Sequence, residues 1–139
     1  MCEDKMNWIL DDLAVGSVQA GGDLDMLTKN GITVIVCALP ELPLPLEEYK
    51  KKGFSMLHIP VDDYPLVNIG RWFDDVTHFI MIHRLQNRKT LVHCAMGISR
   101  SASLACAYLM NLFHCDEVKA LRWLRDKRYC VNVNPGFYR

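Results

Sequence analysis

Apolar runs and polar breaks divide the chain into alternating strand-like and helix-like stretches. Ile9 to Val15 reads as a first strand, stopped by Gly16-Ser17. Asp23 is placed to cap a short helix through Lys29, which Asn30-Gly31 ends. Ile32-Thr33-Val34-Ile35-Val36-Cys37 is a continuous, largely β-branched run, as expected for a strand buried on both faces. Pro40 to Pro45 reads as a loop and Leu46 to Lys52 as a short helix ended by Gly53. Phe54 to Ile59 reads as a strand closed by Pro60. From Asn68 to Gln86 the period becomes helical, with Phe73, Val76, Phe79, Ile80 and His83 on one face. Thr90-Leu91-Val92-His93 is a short buried strand. A helix follows from about Ser101 to Leu112, with Leu104, Tyr108 and Phe113 roughly in line. The last helix runs from Asp116 to about Lys127, with Val118, Leu121 and either Leu124 or Trp123 inward. Strands alternating with helices imply an α/β sheet covered by helices, with ligands held beyond the carboxyl ends of the strands.

Composition narrows this picture. No linker or internal repeat interrupts residues 1–139, so a single domain is expected. Half the residues are hydrophobic, enough for a core without staples. Lys plus Arg (16) balances Asp plus Glu (16), so no broad basic field points to nucleic acid or an anionic membrane. The polar start lacks the basic and apolar regions of a signal peptide, residue 2 is not Gly, and no apolar run is long enough to span a bilayer. The expected compartment is the cytosol or nucleus, and a monomer is the default. The six cysteines form no C-x-x-C pair, and the five histidines form no H-E-x-x-H. Neither a metal nor another cofactor is expected.

The chemistry concentrates in Val92-His93-Cys94-Ala95-Met96-Gly97-Ile98-Ser99-Arg100-Ser101. The order is strand, loop, helix. A helix N-terminus carries unpaired N–H groups and partial positive charge, and a loop curled there makes a nest for phosphate. The backbone of Ala95, Met96, Gly97, Ile98 and Ser99 would form that nest, with Gly97 permitting the turn. Arg100 adds a planar fork for two phosphate oxygens. The same field favours the thiolate of Cys94, a nucleophile. Ser101 offers a hydroxyl near the sulfur, and His93 would orient the loop by hydrogen bonds. C-x5-R alone is a weak signal; its setting between an apolar strand and a helix makes it specific.

His93 to Ser101 matches H-C-x-x-G-x-x-R-[ST], the signature of protein tyrosine phosphatases, and Gly97 to Ala102 resembles the small atypical dual-specificity subfamily. Leu13-Ala14-Val15-Gly16-Ser17 is similar to that family's first strand. Val133-Asn134-Pro135-Gly136-Phe137 resembles its P-N-x-G-F segment before a final helix. Met96 stands where Ala is usual and Val133 where Pro is usual. The resemblance implies a central, mixed, mostly parallel twisted sheet of about five strands flanked by helices. It also implies hydrolysis of phosphotyrosine and phosphoserine or phosphothreonine through a phosphocysteine.

Ester cleavage needs a proton for the departing oxygen, and Asp62 and Asp63 are the candidates. The residues alone leave that choice open. The family's I-P-x-x-D pattern places its acid at Asp63.

Ala95, Met96 and Ile98 give the loop no basic residue, which favours a single phosphate on a phosphoprotein over a phosphoinositide or RNA. A phosphoprotein-binding module that does not cleave is the alternative. A rhodanese-like sulfurtransferase is disfavoured by His93, Ser101 and the upstream acid. Pro40 to Pro45 reads as a stiff connection, with a polyproline ligand or a substrate-contacting wall as sharper readings. Cys37 ends the strand expected beside that of Cys94. It reads as a small core residue or as a redox partner that spares Cys94 from over-oxidation.

Overall fold

The computed structural model describes residues 3–62 and 69–132. Strands β1 (Met6–Leu10) and β2 (Leu13–Gly16) pair antiparallel. The sequence reading of one strand from Ile9 to Val15 is therefore corrected to a hairpin that turns at Asp11-Asp12. Two successive carboxylates cannot both avoid the core inside a buried strand; in the turn, Asp12 instead pairs with Arg84 at 2.9 Å.

Three further strands, β3 (Ile32–Cys37), β4 (Ser55–His58) and β5 (Lys89–His93), complete a sheet in the order β1-β2-β5-β3-β4. All neighbours other than β1 and β2 run parallel. This is the mixed, mostly parallel five-stranded sheet expected. Its register aligns the strand ends: Gly16 and Cys37 both pair with His93, and Cys37 pairs with His58. Cys94 is thus the first residue beyond the carboxyl edge of the central strand.

Alternation divides the core between two faces. Ala14, Ile35 and Leu91 pack with Leu24, Leu27, Tyr49 and Phe54 from helices α1 (Val18–Gly21), α2 (Leu24–Lys29) and α3 (Leu46–Lys51) and their flanks. Val15, Val36 and Val92 face helices α4 (Phe73–Leu85), α5 (Arg100–Phe113) and α6 (Glu117–Lys127). Helix α5 is buried along most of its length, and Ala102 and Ala105 allow close approach to the sheet.

Caps form as expected at Asp23, which accepts from Met26 N–H at 3.2 Å. Asp116 lies just outside α6 and accepts from Lys119 N–H at 2.9 Å. Other expectations change. A 3₁₀ turn, Ile69–Trp72, precedes α4. Phe113 and Val118 are exposed rather than inward. Leu124 is the buried member of its pair, while Trp123 reaches over β1 and donates its indole N–H to Ile9 O at 2.9 Å.

Candidate active site

The loop between β5 and α5 takes its shape from acceptors turned outward. Ala95 O accepts from Val18 N–H at 3.0 Å, and Ile98 O from Asn132 N–H at 2.8 Å. Arg128 donates to Met96 O at 3.1 Å and to Gly97 O at 2.9 Å. Ser99 O accepts from the Ser103 backbone at 2.8 Å and from its hydroxyl at 3.0 Å. Every carbonyl from Ala95 to Ser99 is thus occupied on the outside. Trans peptides set each following N–H opposite to its carbonyl, so the N–H groups from Met96 to Arg100 turn inward. Gly97 N–H, 3.3 Å from Cys94 Sγ, has this orientation.

Gly97 is required twice. Its φ is +69°. A Cβ there would meet the Gly16 backbone and the Arg128 guanidinium at 2.6 Å.

The sulfur lies among donors. Ser101 Oγ is 3.2 Å from Cys94 Sγ, opposite the start of α5. Arg100 is 8% exposed and donates Nη1–H to Val61 O at 3.0 Å. Its Nε is buried and has no partner among the described residues. A buried guanidinium with a spare donor is prepared for an anion.

His93 is fully buried. Its carbonyl accepts from Ala38 N–H at 2.8 Å, and its Nδ1 is 3.4 Å from Cys94 O. The ring packs against Gly21, where even a methyl group would collide, and Nε2 has no partner among the described residues. Burial pushes the imidazole pKa down to about 4; the Cys94 carbonyl opposes this and His58 adds to it. Burial thus favours the neutral ring.

The structure therefore brings together Cys94, Arg100, Ser101, His93 and the loop Ala95 to Ser99. Met96 is half exposed on the rim. Asp63 lies outside the described residues, as does the Val133 to Phe137 segment. Asp62 is exposed, and the Arg100–Val61 bond ties the stretch leading to Asp63 to the phosphate loop. Cys37 is buried at the end of β3, level with His93; burial, with a smaller contribution from Cys94, pushes its thiol up to about 12. Among the described residues no group of three His, Cys, Asp or Glu gathers as metal ligands. No helix among them is long and apolar enough to cross a membrane.

Arg128 was missing from the sequence reading. It is 1% exposed, and besides its two loop bonds it donates to Asp4 O at 3.0 Å and to Asn7 Oδ1 at 2.7 Å. Burial draws the guanidinium below its ordinary pKa, opposed first by Cys94. In the sequence it is one charge in Arg125-Asp126-Lys127-Arg128, and nothing in that run marks it as the buried one.

Comparison with known proteins agrees with this geometry. The family described as "Dual specificity phosphatase, catalytic domain" matches residues 13–139. The chain belongs to that family. As a dual specificity phosphatase domain it is 37% identical to human dual specificity protein phosphatase 22 over 96% of this chain and 70% of that protein. It is 34% identical to human dual specificity protein phosphatase 14 over 94% of this chain. The chain spans 64% of the length of that second relative. Among solved structures, DUSP15 superposes with a TM-score of 0.87 at 34% identity, covering 96% of this chain and 82% of that one. The human tyrosine phosphatase-like serine/threonine/tyrosine-interacting protein does so with 0.86 at 32% identity, covering 95% and 89%.

Proposed function

We propose that this domain hydrolyses phosphate monoesters on protein side chains, phosphotyrosine and phosphoserine or phosphothreonine, through a phosphocysteine. The observation that carries the reading is a sulfur at the centre of a loop whose carbonyls are all engaged outside, with Ser101 and Arg100 beside it. Dual specificity phosphatases 14 and 22 carry this activity in their names, and the family relationship extends it to this chain.

In the first step Cys94 Sγ attacks phosphorus in line. The S–P bond forms as the ester O–P bond breaks, and the departing oxygen takes a proton from the Asp63 carboxyl. The inward N–H groups and Arg100 stabilise the equatorial oxygens, where charge accumulates. In the second step water attacks phosphorus while Asp63 accepts its proton. The S–P bond breaks, inorganic phosphate leaves, and Ser101 steadies the released thiolate from 3.2 Å. The family pattern supports Asp63 in this role, and the bond from Arg100 to Val61 O, two residues before it, is consistent with that reading.

Hydrolysis of p-nitrophenyl phosphate by wild type, Cys94→Ser and Asp63→Asn tests the reading. Turnover is expected from wild type, none from Cys94→Ser, and from Asp63→Asn a large loss with the alkaline-side fall of the pH profile flattened, because a general acid must be protonated to act. Activity surviving Cys94→Ser would sink the proposal. A wild type that binds phosphopeptides without cleaving them would make this a binding module. Turnover of a phosphoinositide much faster than phosphotyrosine peptides would overturn the protein substrate, which rests on the uncharged side chains of Ala95, Met96 and Ile98.

A further inference from the structure

Helix α3 buries a single side chain, Tyr49, and that side chain is fully enclosed. Its ring packs with Ala20, Leu24 and Phe54, a space that phenylalanine would fill as well. A buried hydroxyl costs stability unless it finds a partner. That of Tyr49 donates to Gly21 O, at the carboxyl end of α1, at 2.8 Å in a buried bond. Burial, with a smaller contribution from Cys37, pushes its pKa up to about 12 against the Leu44 backbone, so the hydroxyl stays a donor.

Helix α1 is one turn, and the phosphate loop meets both of its ends. At the amino end Val18 N–H donates to Ala95 O at 3.0 Å, the first loop carbonyl after that of Cys94. At the carboxyl end Gly21 makes room for the edge of the His93 ring that bears Nε2. Nδ1 of the same ring is 3.4 Å from Cys94 O. A single turn has little stability of its own. Within α1 only Ala20 and Gly21 are buried, so the bond from Tyr49 is a principal anchor from behind. The stiff Pro40 to Pro45 connection, whose Pro43 lies beside Gly22, leads directly into α3.

We propose that Tyr49 is a positioning residue for the phosphate loop: it fixes α1 and, through Val18 and Gly21, the Ala95 carbonyl and the His93 ring. It touches no reacting atom. The inference rests on the loop binding phosphate, as proposed above. Releasing Ala95 O frees the next N–H, that of Met96, to turn from the centre.

Tyr49→Phe removes the hydroxyl and keeps the ring with its edge-on contact to Phe54. Well below its melt, this variant is expected to lower kcat/KM for p-nitrophenyl phosphate about tenfold, because the aim of the N–H groups weighs most in the transition state. The concentration of inorganic phosphate that half-protects Cys94 from iodoacetamide should rise about threefold, since ground-state binding uses those donors less fully. Phe54→Leu loosens the same core and leaves the hydroxyl; it should lower Tm with both quantities within about twofold of wild type. Val18→Pro removes the N–H that holds Ala95 O, and Ser17, with ψ 176°, accepts a following proline. In that background Tyr49→Phe should cost about threefold or less, because both act through one turn. Wild-type phosphate protection or wild-type kcat/KM in Tyr49→Phe, equal losses in Tyr49→Phe and Phe54→Leu, or strictly additive losses with Val18→Pro overturns the positioning role. The protection measurement needs no turnover. An inert wild type would therefore sink the proposed function, while weaker phosphate protection in Tyr49→Phe would still support this inference.

Discussion

Replacing Arg128 by Lys keeps the charge and removes the fork. In the native domain three guanidinium nitrogens serve Gly97 O, Met96 O, Asp4 O and Asn7 Oδ1 at 2.7–3.1 Å. An ammonium is a point donor and cannot span the loop carbonyls on one side and the β1 acceptors on the other. At least two charged hydrogen bonds are lost. At roughly 1.5–3 kcal/mol each, discounted because water can enter from the adjoining surface groove, the cost is about 3 kcal/mol. A domain of this size tolerates that loss, which should lower Tm by roughly 10 °C. Catalysis should suffer more than folding. With Met96 O and Gly97 O released, the next N–H groups lose their inward aim, and misplacing one oxyanion donor costs about 10²–10³ in kcat. The assay is p-nitrophenyl phosphate turnover well below the melting range, paired with urea unfolding of the same sample. A folded Arg128→Lys enzyme with kcat within about threefold of wild type would show that the loop holds its shape without the fork, and would refute the reasoning.

Four further outcomes are expected. His93 has a folded pKa of about 4, below the ordinary 6.5, so the unfolded chain binds its proton first as pH falls. Stability should be full above pH 6.5 and fall by about 3 kcal/mol as pH drops to about 4. Urea midpoints of wild type and His93→Asn check this, and equal pH slopes would remove His93 as the cause. Gly97→Ala must shift the Gly16 backbone or reverse a positive φ, so turnover should fall to background with about 1–3 kcal/mol lost in unfolding; near-normal turnover would contradict the geometry. Ser101→Ala should slow the second step more than the first, giving a burst of p-nitrophenolate before a slow steady state in stopped flow. Under mild peroxide, Cys94 sulfenic acid and the Cys37 thiol should condense to a disulfide with loss of water. Because burial holds that thiol protonated, the reaction should be slow and accelerate with pH; sulfinic acid at Cys94 with Cys37 untouched rejects the pairing.

The elements legible in the sequence were those set by local rules. The β-branched run of β3 could be buried on both faces only in a parallel sheet. The cap at Asp23 was visible because an N-cap is chosen by chemistry within three residues. The phosphate loop was legible because a nest at a helix start needs Gly97 and Arg100 at fixed offsets from Cys94. What escaped depends on partners distant in sequence. Phe113 and Val118 are exposed, and Phe113 instead meets the ring of Trp123 on α6, with centroids 5.4 Å apart. Arg128 is buried only because Asp4, Asn7 and the loop converge on it.

The central claim is covalent, so the most direct measurement is acid quench of the domain during turnover of p-nitrophenyl phosphate, followed by peptide mapping. Ser101→Ala serves to enrich the intermediate. The account predicts phosphate on the peptide containing Cys94, formed within the burst and absent from Cys94→Ser. Steady turnover with no adduct on that peptide, or an adduct on any other residue, would contradict it.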